Sequence, residues 1–421
     1  MRIGYWVRAL LLGCSALSAF ACERRAPAPA RARPALPAFT QALPAPASLA
    51  NPVIGDATRG RELVQRFECN RCHDGTGFAA APLAKNCFSC HERIMSGRFP
   101  VSPEALARFR PHVASAQEAP SLIAIGARLQ GQWIRDYLLA PRDLRPNLVP
   151  TMPRLALDAR QASDIVAYLI GNEPPELGAT RARGNAAHGR ELMDQKGCTS
   201  CHAFNGVPAF TSAGSAPPGS EIARSLAPDL RFTRARFRPD VLRAWLLDPK
   251  SLKSDTRMPN FGLAEDEAAD ISEYIVSAQL EPEARALFVR LPVLTRRVSF
   301  EEANQRVFSR TCHHCHTDAE AAGGDGGPGN TGGFGFAPRG ISFSSHASIL
   351  AGYVDEHGQR RSLFEPLADG TPRLIGALLS RHDEARQLPG GAVRGMPLGL
   401  PPLSAEDIQL VESWVAQGKP L

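Results

Sequence analysis

Three stretches of the chain carry the same pattern of apolar and polar positions, and each predicts an amphipathic helix. Each begins with Met-Pro, continues through a short loop and an acidic helix start, and then places apolar residues at helical spacing. These stretches are residues 151–176, 257–283 and 395–421, and their apolar faces comprise Ile165, Ala167, Tyr168 and Leu169, then Ile271, Tyr274 and Ile275, then Ile408, Val411, Trp414 and Val415. In the third stretch Ser404 and Asp407 have the spacing of a capping box, which predicts where that helix begins.

A second repeated element lies upstream of each of these stretches. Residues 55–73, 184–202 and 299–316 each predict a short amphipathic helix that leads into Cys-x-x-Cys-His. Residues 131–146 also resemble residues 240–254. The chain therefore contains three copies of one order of elements, which predicts an all-α fold with three tandem helical domains and long loops. A length of 421 residues agrees with that number, at roughly 150 residues per domain.

The first 52 residues have the pattern of an export signal followed by a linker. Arg2 and Arg8 precede an apolar run over residues 9–21, which ends in a small-x-small cleavage site and is too short to span a bilayer. Residues 1–21 are therefore predicted to be a signal peptide. Cys22 follows directly and is a candidate for lipidation, with ordinary cleavage and a secreted protein as the alternative. Residues 22–52 are rich in Pro and Ala, which predicts a semi-rigid spacer.

The charge of the chain is concentrated in this leader. The formal net charge is +6, and residues 1–50, with six arginines and one glutamate, account for +5 of it. The remainder of the chain is almost neutral and contains no basic patch with interleaved aromatic residues, so the sequence predicts no nucleic-acid partner.

Eight of the ten cysteines form four Cys-x-x-Cys pairs, and a histidine follows each pair at once. Two Cys-x-x-Cys pairs separated by a short loop can form a four-thiolate zinc site, and the first two pairs have nearly that spacing. The third and fourth pairs lie more than a hundred residues from their neighbours and have no second pair for such a site. Covalent attachment of c-type haem accounts for all four motifs. The predicted attachment residues are Cys69, Cys72, Cys87, Cys90, Cys198, Cys201, Cys312 and Cys315.

From about residue 53 onward the combination of motif, Met-Pro and terminal helix resembles class I cytochrome c domains. The resemblance implies a di-haem domain over residues 53–177 and mono-haem domains over residues 180–285 and 296–421, which we call repeats 1, 2 and 3. It also implies that each motif histidine is the proximal iron ligand and that the methionine of Met-Pro is the distal one. The implied pairs are His73 with Met152, His202 with Met258, and His316 with Met396.

Repeat 1 has two motifs but only one Met-Pro. The haem on Cys87 and Cys90 has His91 as its implied proximal ligand, and the sequence does not decide its distal ligand. His112, 21 residues after His91, is the candidate. A surface-loop role for His112 with an open or water-ligated iron is one alternative. Another exchanges the ligands, so that Met152 serves the second haem and His112 the first.

The resemblance implies a tetrahaem cytochrome that carries electrons between redox proteins in the periplasm or at a membrane, attached by lipid if Cys22 is modified. Two alternatives are open. One is a haem oxidoreductase, peroxidase-like or acting on sulfur compounds, with the second haem as its open site. The other is a sensor or docking subunit. The glycine-rich residues 321–340 are expected to form a surface loop with Phe334 and Phe336 at the haem edge, or a docking loop for a partner.

Overall fold

The structure is a computed structural model. It describes residues 54–421 except 115–117, 149–151, 172–183, 214–216, 239–240, 284–286, 319–324, 387 and 389–390, and it does not describe the side chain of His112. The predicted signal peptide, Cys22 and the spacer therefore lie outside the described residues. No helix among the described residues is long and apolar enough to cross a membrane.

Helices account for most of the regular structure in these ranges. The α-helices are α1 (Ala57–Arg66), α2 (Cys87–Ser96), α3 (Pro103–Val113), α4 (Gly131–Leu139), α5 (Ala159–Ile170), α6 (Ala186–Gln195), α7 (Glu221–Leu226), α8 (Thr233–Arg236), α9 (Leu242–Leu247), α10 (Pro249–Leu252), α11 (Glu265–Ser277), α12 (Phe300–Ala303), α13 (His346–Ala351), α14 (Arg373–Ala385) and α15 (Ala405–Ala416). Short 3-10 turns cover Cys69–Arg71, Ile125–Ala127, Cys198–Ser200 and Leu230–Phe232, and a π-helix covers Asn304–Cys312.

The prediction of a helical fold is confirmed, with one small addition. Strand β1 (Tyr353–Val354) pairs antiparallel with β2 (Arg360–Arg361) in repeat 3. The described residues from 54 onward belong to one compact unit, and the division into three domains remains a prediction.

In repeat 1 the leading helix α1 packs across the terminal helix α5. Gly60 of α1 lies so close to α5 that a Cβ atom there would stand 1.9 Å from the carbonyl oxygen of Asp164. The Asp164 carboxylate in turn accepts hydrogen bonds from the Asp56 amide, at 2.7 Å, and from the Arg59 guanidinium, at 2.9 Å. This carboxylate therefore ties the start of α1 to α5.

Repeat 2 uses the equivalent residues for the same crossing between α6 and α11. A Cβ atom on Gly189 would stand 2.0 Å from the carbonyl oxygen of Asp270. The Asp270 carboxylate accepts from the Asn185 amide, at 2.6 Å, and contacts Nδ1 of His188, at 2.7 Å. That hydrogen bond raises the pKa of His188 above its ordinary value.

In repeat 3 the corresponding position is Ala303, which is fully buried at the end of α12. The helix continues as the π-helix up to Cys312, the first cysteine of the fourth motif. Aromatic rings form the centre of this core: Phe308 lies 5.5 Å from Trp414 of α15 and 5.2 Å from Phe343.

The insertion that carries the second motif has its own small apolar cluster. Ile94 of α2 packs with Phe99 and with Leu106 and Val113 of α3, and Cys90 borders the cluster. The second motif is therefore held by a two-helix unit that does not belong to the α1–α5 core.

Candidate functional site

The first and third motifs fold in the same way. Each begins in a 3-10 turn, and the residue before it, Glu68 or Gly197, has a positive φ, of 51° and 69° respectively. The His73 amide donates to the Cys69 carbonyl at 2.9 Å, and that of His202 donates to the equivalent carbonyl in its own motif at 3.1 Å. One turn of backbone therefore presents two thiols and the following imidazole together.

The imidazoles of His73 and His202 are oriented by proline carbonyl groups. Nδ1 of His73 lies 2.7 Å from the Pro120 oxygen, and Nδ1 of His202 lies 2.8 Å from the Pro228 oxygen. A carbonyl oxygen only accepts, so Nδ1 carries the hydrogen and Nε2 keeps its lone pair for a metal. Burial lowers the pKa of both rings, which favours this neutral form.

One cavity of about 830 Å³ is lined by both of these motifs. His73 and Met152 line it from repeat 1, and His202 and Met258 line it from repeat 2. The indole Nε1 of Trp245 donates to the Met258 sulfur at 3.1 Å. The structure therefore brings both predicted histidine–methionine pairs to a common, mainly apolar space, as a large planar cofactor requires.

The cavity is continuous because repeats 1 and 2 are docked through equivalent segments. Leu129 forms an antiparallel bridge with Phe237. The Gln130 amide donates to the Arg236 carbonyl at 2.9 Å, and the Arg238 amide donates to the Arg128 carbonyl at 3.0 Å. These segments precede α4 and α9, which correspond in the sequence repeat, so the two halves face each other as an approximate two-fold pair.

Arginine side chains from both repeats line this cavity, among them Arg128, Arg145 and Arg236. Nε of Arg236 is buried and has no hydrogen-bond partner within the described part of the chain. Burial, and then the neighbouring charge of Arg145, lowers the pKa of Arg236 to about 10. Cations enclosed in this way require an anionic ligand, and the carboxylates of haem propionates meet that requirement.

The second and fourth motifs meet at a different place. The thiols of Cys87 of α2 and Cys72 of the first motif lie near enough to shift each other's pKa, and Cys87 also raises the pKa of Cys315 of the fourth motif. The ring of His91, which is buried, lies 5.7 Å from the ring of His314, centroid to centroid. Burial by the surrounding protein, and then the neighbouring charge of His91, lowers the pKa of His314 to about 4.

The described part of the glycine-rich loop, residues 325–340, docks onto repeat 1. Asp325 pairs with the buried guanidinium of Arg71 at 3.1 Å, and Arg71 also pairs with Glu68 at 2.8 Å. The Phe334 amide donates to Glu68 at 3.1 Å, and the Phe334 ring is buried and lines the shared cavity. Phe334 therefore lies at the cavity of the first and third motifs, its packing at a haem edge remains a prediction, and these docking contacts of the loop lie within the chain.

The fourth motif differs from the first and third around its histidine. Backbone groups of Gly329 and Ile341, and not a proline carbonyl, lie against the His316 ring. A Cβ atom on Gly329 would stand 1.9 Å from Cε1 of His316, so only glycine fits there. The Met396 amide donates to the Ala377 carbonyl of α14 at 2.9 Å, and the pairing of His316 with Met396 remains a prediction.

Two further points concern the predicted ligands. The backbone of His112 lies near the end of α3, but its side chain lies outside the described residues. Among the residues that the structure describes, no group of three or more His, Cys, Asp or Glu side chains is placed to hold a metal ion. This includes the four cysteines of the zinc alternative. The sequence signal for the position of His314 is only that a histidine stands between the two cysteines of a motif.

The comparisons agree with the chemistry of these sites. Residues 186–279 match the model of the family described as Cytochrome c. No curated protein and no solved structure matches the chain. The matched range contains the third motif, Met258 and both helices of the α6–α11 crossing, and it supports a c-type cytochrome with covalently bound haem and haem-based electron transfer.

Proposed function

Starting from the cytochrome c domain at residues 186–279, we propose that this chain is an exported tetrahaem cytochrome that transfers electrons between redox proteins. The observation that carries the proposal is one cavity lined by two complete sets of predicted haem ligands, one from repeat 1 and one from repeat 2. A haem at each motif would supply an iron that takes up and releases one electron.

The chain's own residues define the environment of these irons. His73 and His202, with Nδ1 bound to proline carbonyls, present Nε2 in a fixed direction. Met152 and Met258 offer thioether sulfurs in the same cavity, and a His/Met ligand set raises the reduction potential. Arg145 and other cavity arginines stabilise negative charge, which favours carboxylate-bearing cofactors at this position.

The arrangement supports electron transfer within the chain. The first and third motifs both line one cavity. Cys87 of the second motif lies near Cys72 of the first and Cys315 of the fourth, which supports transfer among these three sites. We propose that electrons pass along this series of four sites, and that an anchored Cys22 would hold the chain at a membrane facing its partners.

Mass spectrometry of the mature chain, combined with a redox titration, tests the proposal. We expect a mass increase equal to four haems, and reduction in more than one step. The Cys198→Ala/Cys201→Ala double variant should lose one haem and one step. A chain with a single haem, or with the eight motif cysteines present as free thiols, would contradict the proposal. The mass of the mature N-terminus also shows whether Cys22 carries lipid.

A further inference from the structure

The second motif lies where three motifs meet, and the docked loop holds this meeting point together. Asp325, beside repeat 3's motif, pairs with Arg71 in the first motif at 3.1 Å. Lys85, which lies two residues before Cys87, pairs with Glu68 at 3.4 Å. The fourth motif is thereby held against the helix that carries His91.

This docking places one side chain of the fourth motif opposite His91. The rings of His91 and His314 are 5.7 Å apart, centroid to centroid, and inclined at 47°. Two imidazoles on opposite sides of one metal ion, with nitrogen–metal bonds of about 2 Å, have ring centroids about 6 Å apart. The observed separation therefore fits an iron between the two rings.

The neighbouring His313 does not compete for this role. Its Nε2 lies 2.7 Å from the Phe343 carbonyl oxygen, which is a contact within repeat 3. The two adjacent histidines thus point to different surroundings, one to the core of their own repeat and the other to the second motif.

We propose that His314 is the distal ligand of the haem on Cys87 and Cys90, so that repeat 3 completes a haem site whose proximal ligand, His91, belongs to repeat 1. The inference rests on the proposed function, because it needs a haem on the second motif. It gives this haem two imidazole ligands and therefore a lower reduction potential than the His/Met sites. It also makes the docking of repeat 3 a condition for a closed iron site.

The test compares His314→Ala with His313→Ala and His112→Ala in the full chain with its haems. Each variant is examined by low-temperature EPR of the oxidised protein and by carbon monoxide binding to the reduced protein. We expect His314→Ala to show one high-spin iron and to bind one more carbon monoxide per chain than wild type. His313→Ala and His112→Ala should match wild type. His314→Met should remain low-spin, with the potential of one haem raised.

Several outcomes would overturn the assignment. If His314→Ala matches wild type, or if His112→Ala opens the iron in its place, then His314 is not the ligand. If His314→Ala does not fold, an unchanged set of potentials in His314→Met has the same meaning. Mass spectrometry distinguishes this failure from a failure of the proposed function. Four haems with unchanged ligation in His314→Ala would overturn only the assignment of His314 as ligand. Free thiols at Cys87 and Cys90 would overturn both the assignment and the proposed function.

Discussion

Replacing Gly189 by Ala should destabilise the chain, although alanine is the better helix former. Gly189 lies inside α6, where α6 crosses α11, and its added Cβ would stand 2.0 Å from the Asp270 oxygen and 2.4 Å from the attached carbon. Real Cβ atoms essentially never approach another heavy atom closer than 3.0 Å, so the two helices must separate by about 1 Å. The clash is with backbone, and no side-chain rotation relieves it.

The expected magnitude follows from two opposing effects. Overpacking costs about 1–3 kcal/mol, and we expect the upper end here because the carbonyl group cannot turn away. Alanine in place of a helical glycine contributes about 1 kcal/mol of stability, which leaves a net loss of about 2 kcal/mol. Elsewhere on a helix surface the same substitution would stabilise the protein, so the sign of the change tests the reasoning.

Urea denaturation of the full chain, followed by far-ultraviolet circular dichroism, measures this change. Ala303→Gly, the reverse substitution at the equivalent position of repeat 3, is the matched control. It should also destabilise the chain, by about 1–2 kcal/mol, through lost helix propensity and a lost buried methyl group. A Gly189→Ala variant as stable as wild type, or more stable, would refute the close crossing of α6 and α11.

Three further outcomes are expected. Arg71→Met should lower the free energy of unfolding by about 3 kcal/mol, because it removes the buried cation between two carboxylates, whereas Arg98→Met, in an exposed pair, should cost under about 1 kcal/mol in the same urea titration. The folded chain raises the pKa of His188 above 6.5. The contribution of the His188–Asp270 pair to folding stability is therefore complete below about pH 6.5 and is lost as the pH rises past the folded pKa. The stability difference between wild type and His188→Gln, measured from about pH 5.5 to 9, should therefore shrink, and a constant difference would contradict the ion pair. Gly329→Ala should displace the His316 ring and so alter the ligation of the haem on the fourth motif, and visible absorption and EPR spectra identical to those of wild type would contradict that packing.

Much of the local architecture could be predicted from the sequence because it depends on residues close together in the chain. The Met-Pro stretches predicted α5, α11 and α15 from their helical spacing, and the Ser404 cap lies where the capping pattern placed it. The cysteine pairs and their histidines are likewise local, since one turn of backbone brings two thiols and an imidazole together. These features need no knowledge of how the repeats meet.

Contacts between repeats could not be predicted in this way. The sequence leaves the role of the glycine-rich loop open, and Asp325 shows why: its partner, Arg71, lies 254 residues away in the chain. The common cavity of His73 and His202 likewise depends on the bridge between Leu129 and Phe237. No local sequence pattern predicts that bridge.

The sequence by itself determined the helical fold, the four candidate haem motifs and the candidate methionine ligands, because helix periodicity and motif spacing are properties of short segments. Only the tertiary structure decided that repeats 1 and 2 share a cavity and that His314 faces His91. Docking depends on shape and charge summed over surfaces that are distant in sequence. A single histidine between two cysteines therefore does not indicate which surface it contacts in the folded chain.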